Sequence, residues 1–299
     1  VARWFGGRGK KKAESAEAPE AAEAPESAGS GPAVEGPQDA RGAGGAGNSG
    51  DSEASSMPPD FYDGADELMD RARAHLGQDE FARAEILFDA AAAEYRRATE
   101  SLGTRQASGE VVLKIAMALR MRGKALTDLG RFEDAVDAGA EALALLQQFI
   151  PDQDFEALIR DAPELADNYA SALDDVVVAR VNATVLAAQE ERADPELLEE
   201  TLLHANAALT VRNLLLDRDA PRTWPGLAGA LVSLGHLEML LGDGEKGVPR
   251  VTRANAILLN VDSTDPLKRR AAEALRAAQG LYPELLQENP VPTDPREAL

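Results

Sequence analysis

The chain has no cysteine in its 299 residues. That removes disulfides, thiolate nucleophiles and cysteine-bound zinc together. Aromatic residues make up only 4% of the sequence, so the side chains that favour strands are scarce. Histidine is limited to His75, His204 and His236, and none has a second histidine at the spacing of a helical metal pair such as H-E-x-x-H. Hydrogen-bonded or solvated roles are expected for all three. No run of about 18 apolar residues occurs, which excludes a membrane-spanning helix. Positive charge is also short: 31 Lys and Arg stand against 52 Asp and Glu, a net charge of −21. The Coulomb term therefore opposes general attraction to nucleic acid or anionic lipid.

Nucleophile and phosphate motifs are missing in the same way. No G-x-S-x-G is present. Gly42 to Gly47 spells G-x-G-x-x-G, but within low-complexity sequence that supplies neither the strand before it nor the helix after it that a dinucleotide site needs. Acidic neighbours such as Asp174 and Asp175 diverge by about 100° on a helix, so they make no carboxylate dyad and read as solvated faces. The expectation is a chain that is not an enzyme, with no catalytic, cofactor-binding or metal-binding residue, working in the cytoplasm.

What is present is helix-forming sequence. Residues 1–58 are rich in Gly, Ala, Pro, Ser and Glu and read as a disordered arm. Its basic head, Arg3 to Lys12, carries Trp4 and Phe5; it reads as a solvated tail, or as a weak contact with a membrane surface or a protein. From residue 59 the pattern becomes helix, turn, helix. Asp161 with Pro163, Asp194 with Pro195, and Asp265 with Pro266 mark helix starts. Gly77, Gly103, Gly130 and Gly242 mark stops. About nine long helices follow, near 61–77, 80–101, 107–129, 131–149, 163–192, 195–216, 223–242, 245–260 and 265–288, with a short one at 151–160. Residues 59–289 form one helical domain on this reading, and 290–299 a flexible tail.

A repeat runs through that domain. Leu119, Gly123, Ala125, Leu129 with Gly130, Phe132, Ala135 and Ala142 place small residues where two helices cross and large ones between them. Leu231, Leu234 with Gly235, Leu241 with Gly242, Gly247, Val251 and Ala254 fall at the same offsets. A third set is Leu68, Ala72, Phe81, Ala84, Phe88 and Ala91, without the turn glycine. Glycine inside a helix costs about 1 kcal/mol relative to Ala. Its use at 123 and 130, and again at 235 and 242, therefore argues for a shared packing reason. Two places depart from the pattern. Gly139 stands where a large residue is expected in the second helix, and Gly244 where the turn aromatic is expected.

These windows resemble the tetratricopeptide repeat (TPR) family, in its bacterial form, over about residues 60–260. The resemblance is strong in the window from Leu119 and moderate in the other two. Residues 163–216 keep only the paired-helix plan. The resemblance implies an all-α fold, a right-handed α-solenoid of antiparallel helix pairs, with the helix from Asp265 capping the stack. It implies a protein-binding scaffold or adaptor that holds a peptide or helix of a partner in its concave groove. The alternative is a regulatory helical domain that senses a peptide or small ligand and controls a separate enzyme or transcription factor.

Carried over position by position, the groove-facing residues are Arg73, Met117, Arg120, Lys124, Thr127, Val232, His236 and Met239. Arg120 and Lys124 share one side of a helix. They either receive an acidic or carboxylate-ended partner segment or pair with neighbouring acids such as Asp128. Trp224, between Pro221 and Pro225, reads as an exposed anchor for a partner or, more commonly, as a hydrophobic staple closing its loop.

Overall fold

Strong helix formers fill the chain between the stop signals, and in the computed structural model every regular element among the described residues is helical. The structure describes residues 62–101, 109–150, 154–189, 195–217, 220–261 and 263–299. The expected arm 1–58, with Arg3 to Lys12 and the glycine-rich stretch, lies outside them, as do Gly103 and Asp194.

Eleven α-helices are formed among the described residues: α1 Asp63–Leu76, α2 Phe81–Ser101, α3 Gly109–Asp128, α4 Phe132–Gln147, α5 Phe155–Asp161, α6 Pro163–Gln189, α7 Pro195–Leu214, α8 Trp224–Leu240, α9 Gly244–Leu259, α10 Asp265–Leu281 and α11 Pro283–Glu288. Pro163, Pro195 and Pro266 fall in first turns as expected, where a missing amide hydrogen is harmless. The predicted long helix 265–288 is two. Pro283 forces Tyr282 out of the helical region, to φ −137° and ψ 55°, and the chain restarts as α11.

Each long helix packs on the next in antiparallel pairs. Alternate helices also meet: α3 touches α6, α6 touches α8, and α8 touches α10. Helices α1, α3, α6, α8 and α10 are called the A layer here, and α2, α4, α7 and α9 the B layer. Short α5 packs on α6, and α11 on α9 and α10.

The repeat is visible in hydrogen bonds as well as in sequence. The turn from A to B helix is closed by the amide of Arg131 donating to the Leu126 carbonyl at 2.9 Å, and by Asp243 donating to Glu238 at 2.9 Å. Gly130 (φ +75°) and Gly242 (φ +90°) hold the left-handed position this turn requires. In the first pair Glu80 donates to His75 at 3.0 Å, and Asp79 takes the left-handed position at φ 58°. Aspartate tolerates that region better than most side chains, so the turn closes without its glycine.

The helix crossings match too. A Cβ on Gly123 would stand 3.3 Å from the Ala135 carbonyl oxygen. One on Gly235 would stand 2.8 Å from the carbonyl oxygen of Gly247, the residue corresponding to Ala135. In the first pair the matching places are Ala72 and Ala84, both fully buried.

Both departures from the repeat pattern are filled by the next element. At Gly139 a Cβ would lie 2.5 Å from Val176 Cγ2, because α6 presses directly on α4 there. At Gly244 it would lie 2.5 Å from the ring of Tyr282, which sits where the turn aromatic is missing. The Tyr282 hydroxyl donates to the Met239 carbonyl at 3.0 Å, so the element after α10 completes the α8–α9 pair.

Residues 290–299, expected as a flexible tail, are instead docked. Val291 and Leu299 pack on the main core, Ala298 is buried, and Arg253 of α9 donates to the Ala298 and Leu299 carbonyls. The physical reason is that Val291, Ala298 and Leu299, spaced among polar residues and prolines, pack on the core beside α9, which local composition does not reveal.

Candidate functional site

The A-layer helices bring polar side chains together from distant parts of the sequence. On α1, Asp66 accepts from Lys114 of α3 at 2.8 and 2.9 Å and from the Tyr95 hydroxyl of α2. The Lys114 ammonium lies 5.4 Å from the Tyr62 ring centroid and 5.7 Å from that of Tyr95, within cation–π range. Burial alone would raise the Asp66 carboxyl; the bonds from Lys114 and Tyr95 outweigh it and hold the carboxyl below its ordinary value. Burial and then Asp66 push the Tyr95 phenol up. Arg73 pairs with Asp70 of its own helix at 3.1 Å and points a second nitrogen at the Met117 sulfur at 3.2 Å.

Further along the layer the charges gather on α6. Arg120 is buried, donating to Asp175 at 3.0 Å and to Asn168 at 3.0 Å. Lys124, with 44% of its side chain exposed, lies 3.8 Å from the same Asp175. Asp128, at the end of their own helix, forms no ion pair with either cation among the described residues, although the Lys124 charge pulls against the burial that raises its carboxyl. Asp174, next to Asp175, turns to a different set. Its Oδ2 is 4.0 Å from Arg212 Nε, while Arg212 also holds Asp167 and donates to Ser171 at 2.6 Å. Arg270 of α10 donates to the Gly229 carbonyl at 3.2 Å and adds its charge near Asp174 and Asp175. Gly226 leaves room for Arg212: a Cβ there would stand 3.0 Å from the guanidinium carbon.

Two carboxylates thus sit among three arginines and a lysine. Burial pushes the Asp174 carboxyl up to about 6, against the pull of Arg212 and Arg270. Among the described residues its Oδ1 has no hydrogen-bond partner, and neither has Nε of Arg212 or Arg270. The expectation that Asp174 and Asp175 are solvated is therefore corrected. They diverge as helix geometry requires, and each meets cations of other helices. Those partners are some forty residues or more away in sequence, so no local signal marked them.

The groove residues read from the sequence divide. Arg73, Met117 and Lys124 are at least partly exposed on the A layer. Thr127 is turned back on its helix, donating to the Gly123 carbonyl at 2.9 Å. His236 is largely enclosed, and its pKa is lowered by burial first, then by Arg270. Met239 and Val232 are buried; Met239 packs toward α9, where a Cβ on Gly247 would meet its Cγ at 2.6 Å. Trp224 is only 6% exposed, and its indole donates to the Asp217 carbonyl at 3.2 Å. It closes the loop before α8 and offers no free face as an anchor, because the apolar ring gains more from the core than from solvent.

Elsewhere, His75 meets Glu80 at 2.5 Å. Among the described residues no group of three His, Asp or Glu side chains is arranged to hold a metal ion, and no helix is long and apolar enough to cross a membrane.

No protein-family model matches the sequence, and no curated protein matches it. Among solved structures the chain is similar to BtubC (BKLC) from P. vanneervenii, with 16% sequence identity over 68% of this chain and 93% of that one, and a TM-score of 0.24. A superposition that loose leaves the architecture resting on the chain's own packing: an all-α, repeat-like stack of helix pairs.

Proposed function

We propose that this chain is a non-enzymatic scaffold that holds an acidic peptide or helix of a partner protein along its A layer, the face that the resemblance places on the inside of the stack. The supporting observation is the charge arrangement around α6. Arg120, Lys124, Arg212 and Arg270 meet Asp174, Asp175 and Asp167, so four cations stand against three carboxylates here in a chain of net charge −21. Arg120 is committed to Asp175 and Asn168, so it orients rather than binds. Lys124 is the half-exposed cation of the cluster, loosely paired at 3.8 Å, and is the group that a partner carboxylate meets. Lys114 and Arg73 extend that face toward α1. Side chains already held by ion pairs lose little freedom when a partner docks, and the acidic remainder of the surface repels wrong partners.

The test is affinity capture with the full chain and with Lys124→Glu, compared by mass spectrometry. The reading expects a set of proteins retained by the wild type and lost by the variant. A capture profile unchanged by Lys124→Glu overturns it. Arg120 is left intact in this test, since its removal would strip the largely enclosed Asp175 of its close partner and destabilise the layer for reasons unrelated to binding.

A further inference from the structure

A second surface lies away from the A-layer cluster. The start of α4, the C-terminal half of α6 and the start of α7 enclose a groove of about 580 Å³. Its floor is apolar: Phe132 and Val136 of α4 face Leu186 of α6 and Leu197 of α7. Leu186 is 45% exposed and Leu197 37%, a concentration of open apolar surface rimmed by charge, as interaction sites show.

The charge on the rim selects the occupant. The groove's two cations each have an acid beside them: Arg131 is bonded to Asp134 at 2.7 Å, and Arg180 forms an ion pair with Glu200 at 3.1 Å, although its Nε and Nη1 make no hydrogen bond among the described residues. Glu133 and Asp137, also lining the groove and both exposed, form no ion pair among the described residues. An apolar floor with an uncompensated acidic rim is complementary to a segment with apolar side chains flanked by lysine or arginine. It repels an acidic one.

The geometry points to this groove as the docking site for a basic, apolar-centred segment of a partner protein. It is independent of the acidic partner assigned to the A layer, and one scaffold would then join two partners of opposite charge. The segment seats apolar side chains against Phe132, Leu186 and Leu197, while its cations meet Glu133 and Asp137.

The probe is a short labelled peptide with two aromatic residues flanked by lysines, titrated with the full chain and read by fluorescence anisotropy. The wild type is expected to bind it, and a version with glutamates for the lysines is not. Glu133→Lys with Asp137→Lys should weaken binding at least tenfold. Leu186→Ser with Leu197→Ser should weaken it comparably with unchanged helical circular dichroism, since both leucines are exposed. Lys124→Glu, which tests the A layer, should leave it unaltered. Failure of the wild type to bind, equal binding of the acidic peptide, or indifference to either double substitution overturns the proposal.

Discussion

Replacing Gly235 by alanine should destabilise the α8–α9 pair, whereas the same change at Gly123 should not destabilise α3–α4. Alanine in place of a helical glycine gains about 1 kcal/mol in propensity, and that gain is common to both sites. The steric term differs. At Gly235 the new methyl would stand 2.8 Å from the Gly247 carbonyl oxygen, 2.9 Å from Val251 Cγ2 and 3.1 Å from Arg250 Cβ. The first of these is backbone, so α8 and α9 have to part. Overpacking of this kind costs about 1–3 kcal/mol, and here it belongs at the upper end, for a net loss of about 1–2 kcal/mol. At Gly123 the nearest atom is 3.3 Å away and the next is a methyl at 3.9 Å, a misfit that a few tenths of an ångström relieve. Urea unfolding followed by helical circular dichroism would compare the two. With an m of about 2–3 kcal/mol/M, the Gly235→Ala midpoint should drop by about half a molar, while Gly123→Ala stays level or rises. A Gly235→Ala variant as stable as the wild type, or a Gly123→Ala variant that loses more, would refute the reading of the α8–α9 crossing as the tighter backbone contact.

The remaining predictions concern the cluster, the cap and the loop. The folded Asp174 carboxyl, at about 6, holds its proton more tightly than the unfolded one. Its contribution to stability therefore grows as pH falls from 7 toward 4 and is lost as pH rises through 6; Asp174→Asn should flatten that slope, read from urea midpoints at pH 5 and pH 7. Tyr282→Ala removes the ring against Gly244 and the bond to Met239, and should cost about 2 kcal/mol, less than a fully buried aromatic because Tyr282 is partly exposed. Hydrogen exchange should quicken in α9 and not in α4. Trp224→Phe keeps most of the volume and loses the indole bond to Asp217, about 1 kcal/mol; thermal unfolding checks the loss, and partner capture should be unchanged.

The helices and their pairing were legible because they rest on local signals. Gly130 and Gly242 end helices through backbone conformation, and Gly123 and Gly235 mark crossings at the same offset. The two departures, Gly139 and Gly244, were legible as anomalies but not as contacts. Their explanation lies in Val176 and Tyr282, on elements packed against them from later in the chain. The break at Tyr282 had a signal in the residue before Pro283, which helical periodicity on both sides concealed. The candidate site was legible only in part. Helix spacing put Arg120 and Lys124 on one side of α3, but their shared carboxylate, Asp175, comes from α6. Nothing local distinguished Asp174 and Asp175 from exposed acids such as Glu199. Their burial follows from α6 being contacted by α3, α7 and α8 together, a property of the stack rather than of the segment.

The central claim is that the A layer holds an acidic partner segment. Hydrogen exchange on the full chain, alone and with its captured partner, tests it most directly. Protection is expected in α1 around Asp66 to Arg73 and in α3 from Lys114 to Thr127, and it should vanish with Lys124→Glu. Protection confined to the B helices α2, α7 and α9, with α1 and α3 unchanged, would contradict it.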